Sequence, residues 1–218
     1  MPNLVDALLR CEGRFATTER TVPWRGLLLT IGALGFVHGA VMGSFDARPL
    51  QALYSGIKVP LLLGTATLLC LPSFFVANTL LGLRDDFAAA CRGLLATQAT
   101  MAMVLASLTP ATALLYLSTD NYRLVLMANG LTFALAALGG QRTLARHYAP
   151  LLARNPRHRA ALRSWLLLYV FIAIQLAWML RPFIGYPGMR TQFLRPGGLD
   201  NAYVIVLRAL WRLLTEGR

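Results

Sequence analysis

The hydrophobic and polar positions of this chain fall into long apolar blocks, separated by short connectors that are rich in arginine. A helix needs about 20 consecutive, mostly apolar residues to cross the roughly 30 Å hydrocarbon core of a bilayer. Five blocks have about this length or more, so the pattern predicts an all-α, polytopic membrane helix bundle with five transmembrane helices. The predicted spans are residues 26–45, 57–83, 91–117, 122–140 and 162–185.

Two shorter segments, one near each end of the chain, have an amphipathic pattern. In residues 3–20 and 202–214, apolar side chains gather on one helical face and charged side chains on another. This pattern predicts interfacial helices that lie on the membrane surface. The alternative for residues 202–214 is a sixth span, which would bury Arg208 and Arg212 at a large free-energy cost. We expect residues 1–218 to form a single integral membrane domain.

The composition agrees with a membrane location and excludes several classes of protein. The chain is 56% hydrophobic and 14% charged, whereas soluble domains are about 45–50% apolar and 25% charged. A soluble globular enzyme, a disordered tail and a disulfide scaffold are therefore excluded. The three cysteines form no CxxC pair, so neither a disulfide framework nor a zinc site is indicated.

The positive charge indicates how the chain is oriented. The net charge is +12, from 21 Lys and Arg residues against nine Asp and Glu residues. Twelve basic residues precede the first span or lie between spans two and three and between spans four and five, against three in the opposite short loops. The positive-inside rule then predicts a multi-pass protein of the bacterial inner membrane with a cytoplasmic N-terminus. This placement of arginines gives no indication of nucleic-acid binding.

The first predicted span has glycines at helical spacing. Small residues four apart let another helix backbone approach closely. The neighbouring helix can belong to this chain or to a partner or second copy, and the spacing does not choose between them. The predicted helix-packing interface comprises Gly32, Gly35, Gly39 and Gly43.

Five polar side chains lie within the predicted spans, but all nine acidic residues lie outside them. Transport coupled to an ion gradient usually needs an intramembrane carboxylate or histidine, so that function loses support. Hydrogen bonds between helices are the ordinary role of such polar residues, and the alternative is that they line a polar groove. The five are His38, Asn78, Gln98, Asn129 and Gln175.

A basic cytoplasmic surface is predicted between spans four and five. Anionic lipid headgroups are its simplest partners, and an acidic protein is the alternative. Its residues are Arg142, Arg146, Arg154, Arg157, Arg159 and Arg163. At the opposite side of the membrane, Trp178 and Arg181 are predicted to anchor the outer edge of the fifth span.

Candidate catalytic groups are few. Asp85 and Asp86 precede the third span, where carboxylates favour the helix dipole. A lipid-modifying enzyme would need both of them and His147 to converge at headgroup level. The sequence contains no catalytic triad order, phosphate-binding glycine loop or HExxH motif, so we expect no enzyme activity, no cofactor and no metal.

Several segments resemble known membrane proteins. The N-terminal amphipathic segment, the five spans and the loop GLRDDFAAACRGLLATQA resemble the YIP (Rab-GTPase-interacting) family. The stretches KVPLLLGTATLLCLPSFFVANTLLG and LLLYVFIAIQLAWMLRPFIG are similar to a group of bacterial integral membrane proteins without an assigned activity. The eukaryotic family acts as a non-enzymatic adaptor in vesicle membranes, so the resemblance implies a membrane scaffold or adaptor.

Two functional hypotheses follow. The first is a non-enzymatic scaffold or accessory subunit of an inner-membrane assembly, which contacts its partner through Gly35, Gly39 and Gly43. The alternative is a carrier or channel for a lipid or small neutral solute. This alternative uses helix kinks at Pro72 and Pro110 and requires one continuous cavity, which would be lined by Asn78, Gln98, Asn129 and Gln175.

Overall fold

The computed structural model describes residues 24–195 and, beyond them, Tyr203, Val204 and Trp211. Every regular element within these residues is helical, which confirms the predicted all-α fold. The helices are α1 (Trp24–Gly43), α2 (Pro49–Leu80), α3 (Phe87–Ser107), α4 (Thr109–Ser118), α5 (Tyr122–Arg154) and α6 (His158–Met179), with short 3-10 turns at Phe45–Ala47 and Arg84–Asp86.

Five segments of this bundle are long and apolar enough to cross a membrane. They are α1, α2, the run Arg84–Ser118 that contains α3 and α4, α5, and α6. The predicted interfacial segment 3–20 lies outside the described residues. So does most of 202–214, of which Tyr203, Val204 and Trp211 are helical.

The helices pack in the order α6, α2, α1, α3, α5, so that α1 is central and lies between α2 and α3. We call the end of the bundle that holds residues 81–86 and 155–157 the connector end. The opposite end, which holds residues 44–48, 119–121 and 180–195, is the groove end. The buried side chains form two hydrophobic clusters: one includes Leu27, Val59 and Met101, and the other includes Phe74, Tyr148 and Trp165.

Two helices extend further than their apolar blocks predict. α2 begins at Pro49 instead of residue 57, because proline is well suited to the first position of a helix, where no N–H is needed. α5 continues to Arg154 instead of ending at residue 140. Its last part is amphipathic, with Leu144, Tyr148 and Leu151 buried at helical spacing, so packing extends the helix beyond the apolar block.

The last predicted span is displaced along the sequence. α6 covers His158–Met179 instead of 162–185. Its end is explained by Pro182, because a residue before proline is disfavoured in the α conformation. The third span is divided at Leu108, and α4 begins with Pro110 in its first turn. Because α6 ends before Pro182, the segment after it is irregular. This irregular segment forms part of the groove end.

The glycine face of α1 packs on α2 of the same chain. A Cβ atom at Gly39 would collide with the carbonyl oxygen of Ser55, and one at Gly43 would lie 2.5 Å from that of Gln51. Gly35 lies in ordinary contact distance of Pro60, whereas Gly32 faces open space. Three of the four glycines therefore lie against α2, so this face is occupied within the chain.

Candidate functional site

A cavity of about 720 Å³ lies between α5 and α6 at the groove end. These helices are joined at residues 155–157 and make little other contact, so a space opens between them toward the groove end. We call this space the lateral groove. α5 lines it with Tyr122, Leu126, Asn129, Gly130 and Phe133, and α6 lines it with Ile174, Ala177 and Trp178.

The lateral groove is open along the side of the bundle. Leu126 and Ile174 are 52% and 50% exposed at its margins. In the described chain, a Cβ atom added at Gly130 would have no neighbouring atom within 4 Å. Met42 and Leu62 line its inner side. α5 and α6 are both long and apolar enough to span a bilayer, so the opening lies between two candidate membrane spans.

Residues 181–195, which we call the roof segment, cover the end of the groove. Three side chains of α2 hold this segment by its backbone. Nε2 of Gln51 donates to the carbonyl oxygens of Pro182 and Phe183 at 3.0 and 2.9 Å, and the Ser55 hydroxyl donates to Phe183. Nζ of Lys58 donates to the carbonyl oxygen of Pro182 at 2.6 Å.

Arg48, between α1 and α2, also contacts the roof segment. Its Nη1 donates to the carbonyl oxygen of Met189 at 2.8 Å, while its Nε pairs with Asp46 at 3.1 Å. A Cβ atom at Gly185 would lie 3.2 Å from Cδ of Arg48, so the arginine stem packs closely over this glycine. The roof segment is therefore attached to α2 at several points along its length.

The polar part of the groove is built around Trp178. The guanidinium carbon of Arg181 lies 3.2 Å from the centre of the indole ring, and that of Arg195 lies 5.9 Å from it. The backbone N–H of Arg195 donates to the carbonyl oxygen of Arg181 at 3.1 Å. Both arginines thus gather over one aromatic side chain, an arrangement favoured by cation–π attraction.

The charge of this arginine pair has no acidic neighbour among the lining residues. Burial lowers the pKa of Arg181, and the positive charge of Arg195 lowers it further, while Tyr122 has the opposite effect. Burial is the larger of the two causes, and repulsion from Arg195 is the smaller one. An anion between the two arginines would relieve this repulsion.

Asn129 is the one predicted intramembrane polar residue that lines the groove. Its Nδ2 donates to the Tyr116 hydroxyl at 2.8 Å and to the carbonyl oxygen of Val125 at 2.8 Å. The Tyr116 hydroxyl donates to the carbonyl oxygen of Met42 at 3.0 Å. This relay connects α5, α4 and α1 beside the groove.

The other polar residues of the spans lie apart from it. His38 is hydrogen-bonded to Thr109 at 3.2 Å, Asn78 donates to the carbonyl oxygen of Phe74 in its own helix, and Gln98 accepts from the Tyr169 hydroxyl at 3.0 Å. Gln175 is on α6 but does not line the groove. Of the four residues that the carrier or channel alternative requires in one cavity, only Asn129 lines this groove.

At the connector end, Asp86 pairs with His158 and not with His147. Nε2 of His158 lies 3.0 Å from Oδ2 of Asp86, and Arg154 lies 4.0 Å from Oδ1. Asp85 is exposed. Within the described chain, no cluster of three or more His, Cys, Asp or Glu side chains could hold a metal ion.

The six predicted surface arginines are all exposed. Their setting differs from the predicted loop, because Arg142, Arg146 and Arg154 lie on α5, and Arg159 and Arg163 lie on α6. Only residues 155–157 connect the two helices. The basic surface is therefore presented by a helical hairpin.

Sequence reasoning missed the residues that hold the roof segment. Gln51 and Ser55 were outside the predicted spans, and Lys58 was counted as a loop charge, whereas all three are buried on α2. Their spacing of four and three residues is that of one helix face, which would have signalled a shared partner. Arg195, the second arginine over Trp178, had no local signal.

Comparison with known proteins gives no match to a family model, a curated protein or a solved structure. The function is therefore argued from the geometry of the groove.

Proposed function

We propose that this protein is a non-enzymatic, multi-pass protein of the bacterial inner membrane that holds a membrane lipid in the lateral groove. The supporting observation is the form of the groove. It is apolar between α5 and α6, opens toward the bilayer side, and ends at Trp178, Arg181 and Arg195. A lipid has the same order of parts, an apolar chain followed by a polar headgroup.

The size of the groove supports this proposal. Its volume of about 720 Å³ lies within the range of about 300–1,000 Å³ that is typical of small-molecule sites. Side chains such as Phe133 and Ile174 would contact an acyl chain, while a second chain could remain in the bilayer. The lining contains no Ser, Cys, His, Asp or Glu among the described residues, so the proposal assigns binding and no bond-making step.

Gly130 provides a direct test of lipid binding. A side chain at this position meets nothing within 4 Å and projects into the groove, so Gly130→Leu should fill it without disturbing the helix. Gly64 of α2 also faces open space but does not line the groove, so Gly64→Leu is the matched control. We expect native mass spectrometry of the purified chain to detect retained lipid in the wild type and in Gly64→Leu, but much less in Gly130→Leu. Equal retention in all three would contradict the proposal.

The orientation is part of the same proposal. Among the described residues, nine arginines lie toward the connector end and five toward the groove end, so the positive-inside rule favours a cytoplasmic connector end. The groove would then open toward the outer leaflet, and the N-terminus would be cytoplasmic.

A scaffold or accessory role is the second candidate, and the helical hairpin with six exposed arginines supports it. The resemblance to YIP-family adaptors would agree with such a role. Because the glycine face of α1 is occupied by α2, a partner would have to bind the basic surface instead. Substitution of Arg154, Arg157 and Arg159 by Gln should then remove a co-purifying partner and leave lipid retention unchanged.

A further inference from the structure

We propose that the molecule held in the lateral groove is an anionic phospholipid whose phosphate is bound by Arg181, Arg195 and the indole N–H of Trp178. This inference rests on the proposed lipid-binding function and adds the chemical class of the ligand. It is supported by unpartnered donors, by the charge of the lining and by the placement of the two arginines.

Three buried N–H groups in this part of the groove have no acceptor among the described residues. They are Nε and Nη2 of Arg181 and Nε1 of Trp178. Buried donors in proteins are nearly always hydrogen-bonded, and each one left without an acceptor is costly, more so when it is charged. Since all three belong to residues that line one cavity, a single acceptor-rich group in the groove would satisfy them.

The charge of the lining specifies an anion. Arg181, Arg190 and Arg195 line the groove, and no Asp or Glu does so among the described residues. Asp46 is at the same end of the bundle, but it is engaged by Arg48. The excess of positive charge should attract an anionic headgroup and disfavour one that also carries a cationic amine.

The placement of the arginines specifies a phosphate. The guanidinium of Arg181 stacks on the indole at 3.2 Å, and that of Arg195 lies 5.9 Å from the centre of the same ring. The two guanidinium groups can therefore contact a ligand in the groove from different positions. A guanidinium binds phosphate oxygens through paired, charge-assisted hydrogen bonds. The tetrahedral arrangement of phosphate oxygens can engage both groups, whereas the coplanar oxygens of one carboxylate match a single guanidinium. The apolar walls beyond Trp178 require that this phosphate carry an acyl chain.

The test compares four ligands with the purified full chain in detergent: phosphatidylglycerol, phosphatidylcholine, oleate and soluble glycerol phosphate. Native mass spectrometry measures their apparent affinities. We expect phosphatidylglycerol to bind at least about tenfold more tightly than each of the others, because phosphatidylcholine adds a cationic amine, oleate lacks a phosphate and glycerol phosphate lacks an acyl chain. Equal binding of phosphatidylcholine or oleate would overturn the inference, and glycerol phosphate binding as tightly as the lipid would identify a free phosphate as the ligand instead.

Variants connect this preference to the named residues. Arg181→Gln and Arg195→Gln should each weaken phosphatidylglycerol binding by roughly tenfold or more and reduce the preference for phosphatidylglycerol over phosphatidylcholine. Arg123→Gln removes an exposed arginine outside the lining and should change neither. If an arginine variant does not fold, Trp178→Phe keeps an aromatic ring, removes the N–H, and should weaken binding roughly two- to tenfold.

The two proposals fail in different ways. If Gly130→Leu expels lipid but the arginine variants keep the wild-type preference, the groove binds lipid and the phosphate assignment is wrong. If Gly130→Leu retains as much lipid as the wild type, the lipid-binding function itself is wrong.

Discussion

Nζ of Lys58 donates a 2.6 Å hydrogen bond to the carbonyl oxygen of Pro182, 124 positions later in the chain. The lysine side chain is fully buried, and its ammonium lies 5.9 and 5.0 Å from the ring centres of Phe183 and Phe193. A backbone carbonyl and two aromatic rings thus compensate this cation, although no carboxylate pairs with it in the described chain. The pair fixes the roof segment to α2, beside the lateral groove.

Lys58→Met should loosen the roof segment without unfolding the bundle. Methionine fills a similar volume and avoids the cost of burying a charge, so the melting temperature should change little. The lost charge-assisted hydrogen bond is worth about 1.5–3 kcal/mol, and its absence should raise the hydrogen-exchange rates of backbone amides in residues 181–195. Arg123→Met, which removes an exposed charge near the same end, is the control. Unchanged protection of the roof segment would show that Lys58 does not hold it.

Gly39→Ala should destabilise the protein strongly for so small a change. The added methyl group would collide with the carbonyl oxygen of Ser55 and approach the Cα of Gly56 to 3.0 Å, and both are backbone atoms of α2 that cannot rotate away. We expect a loss of about 1–3 kcal/mol in the free energy of unfolding, as for other overpacked positions. The measurement is thermal or denaturant unfolding in detergent.

Gly32→Ala is the matched control, because Gly32 is in the same helix and has open space around it. Alanine favours the helix by up to about 1 kcal/mol over glycine, so this variant should be as stable as the wild type or more so. Equal losses at both positions would mean that α1 and α2 are not in close contact at Gly39.

The glycine spacing of α1 shows how far local pattern could predict this fold. It predicted close helix contact, but only the three-dimensional arrangement showed that the partner is α2 of the same chain. The five spans were likewise predictable from apolar length. The helix ends were not, because the last part of α5 is stabilised by the burial of Leu144, Tyr148 and Leu151 and not by a continuous apolar block.

The groove was less predictable than the helices, for a physical reason. Its roof is held by contacts of Gln51 with residues more than 130 positions away, and no local periodicity encodes such a pairing. Trp178 and Arg181 were identified from their place at a span edge, but their stacking with Arg195 depends on the return of the chain after Pro182. Among the predicted polar residues of the spans, Asn129 lines the groove, whereas His38, Asn78 and Gln98 are hydrogen-bonded within the bundle.

Asp86→Asn should weaken the connector end. The carboxylate accepts from His158 at 3.0 Å, and the histidine side chain has no exposed surface. The amide can replace the hydrogen bond only in part and cannot attract Arg154 at 4.0 Å, so we expect a loss of about 1–2 kcal/mol in the free energy of unfolding. Asp85→Asn, one residue earlier at an exposed position, should be nearly neutral. A larger loss of stability in Asp85→Asn than in Asp86→Asn would show that Asp85, and not Asp86, stabilises the connector end.

The proposed orientation predicts opposite labelling of two exposed positions. Asp120 lies between α4 and α5 at the groove end, and Arg157 lies between α5 and α6 at the connector end. After Cys11, Cys70 and Cys91 are replaced by alanine, a single cysteine is introduced as Asp120→Cys or Arg157→Cys. A membrane-impermeant maleimide should label the first in intact cells and the second only after permeabilisation, because the larger share of arginine favours a cytoplasmic connector end. The reverse labelling would show that the protein has the opposite orientation in the membrane, with the lateral groove toward the cytoplasmic leaflet. It would leave the contacts that build the groove unchanged, so the source of the lipid would change and its recognition by Arg181 and Arg195 would not.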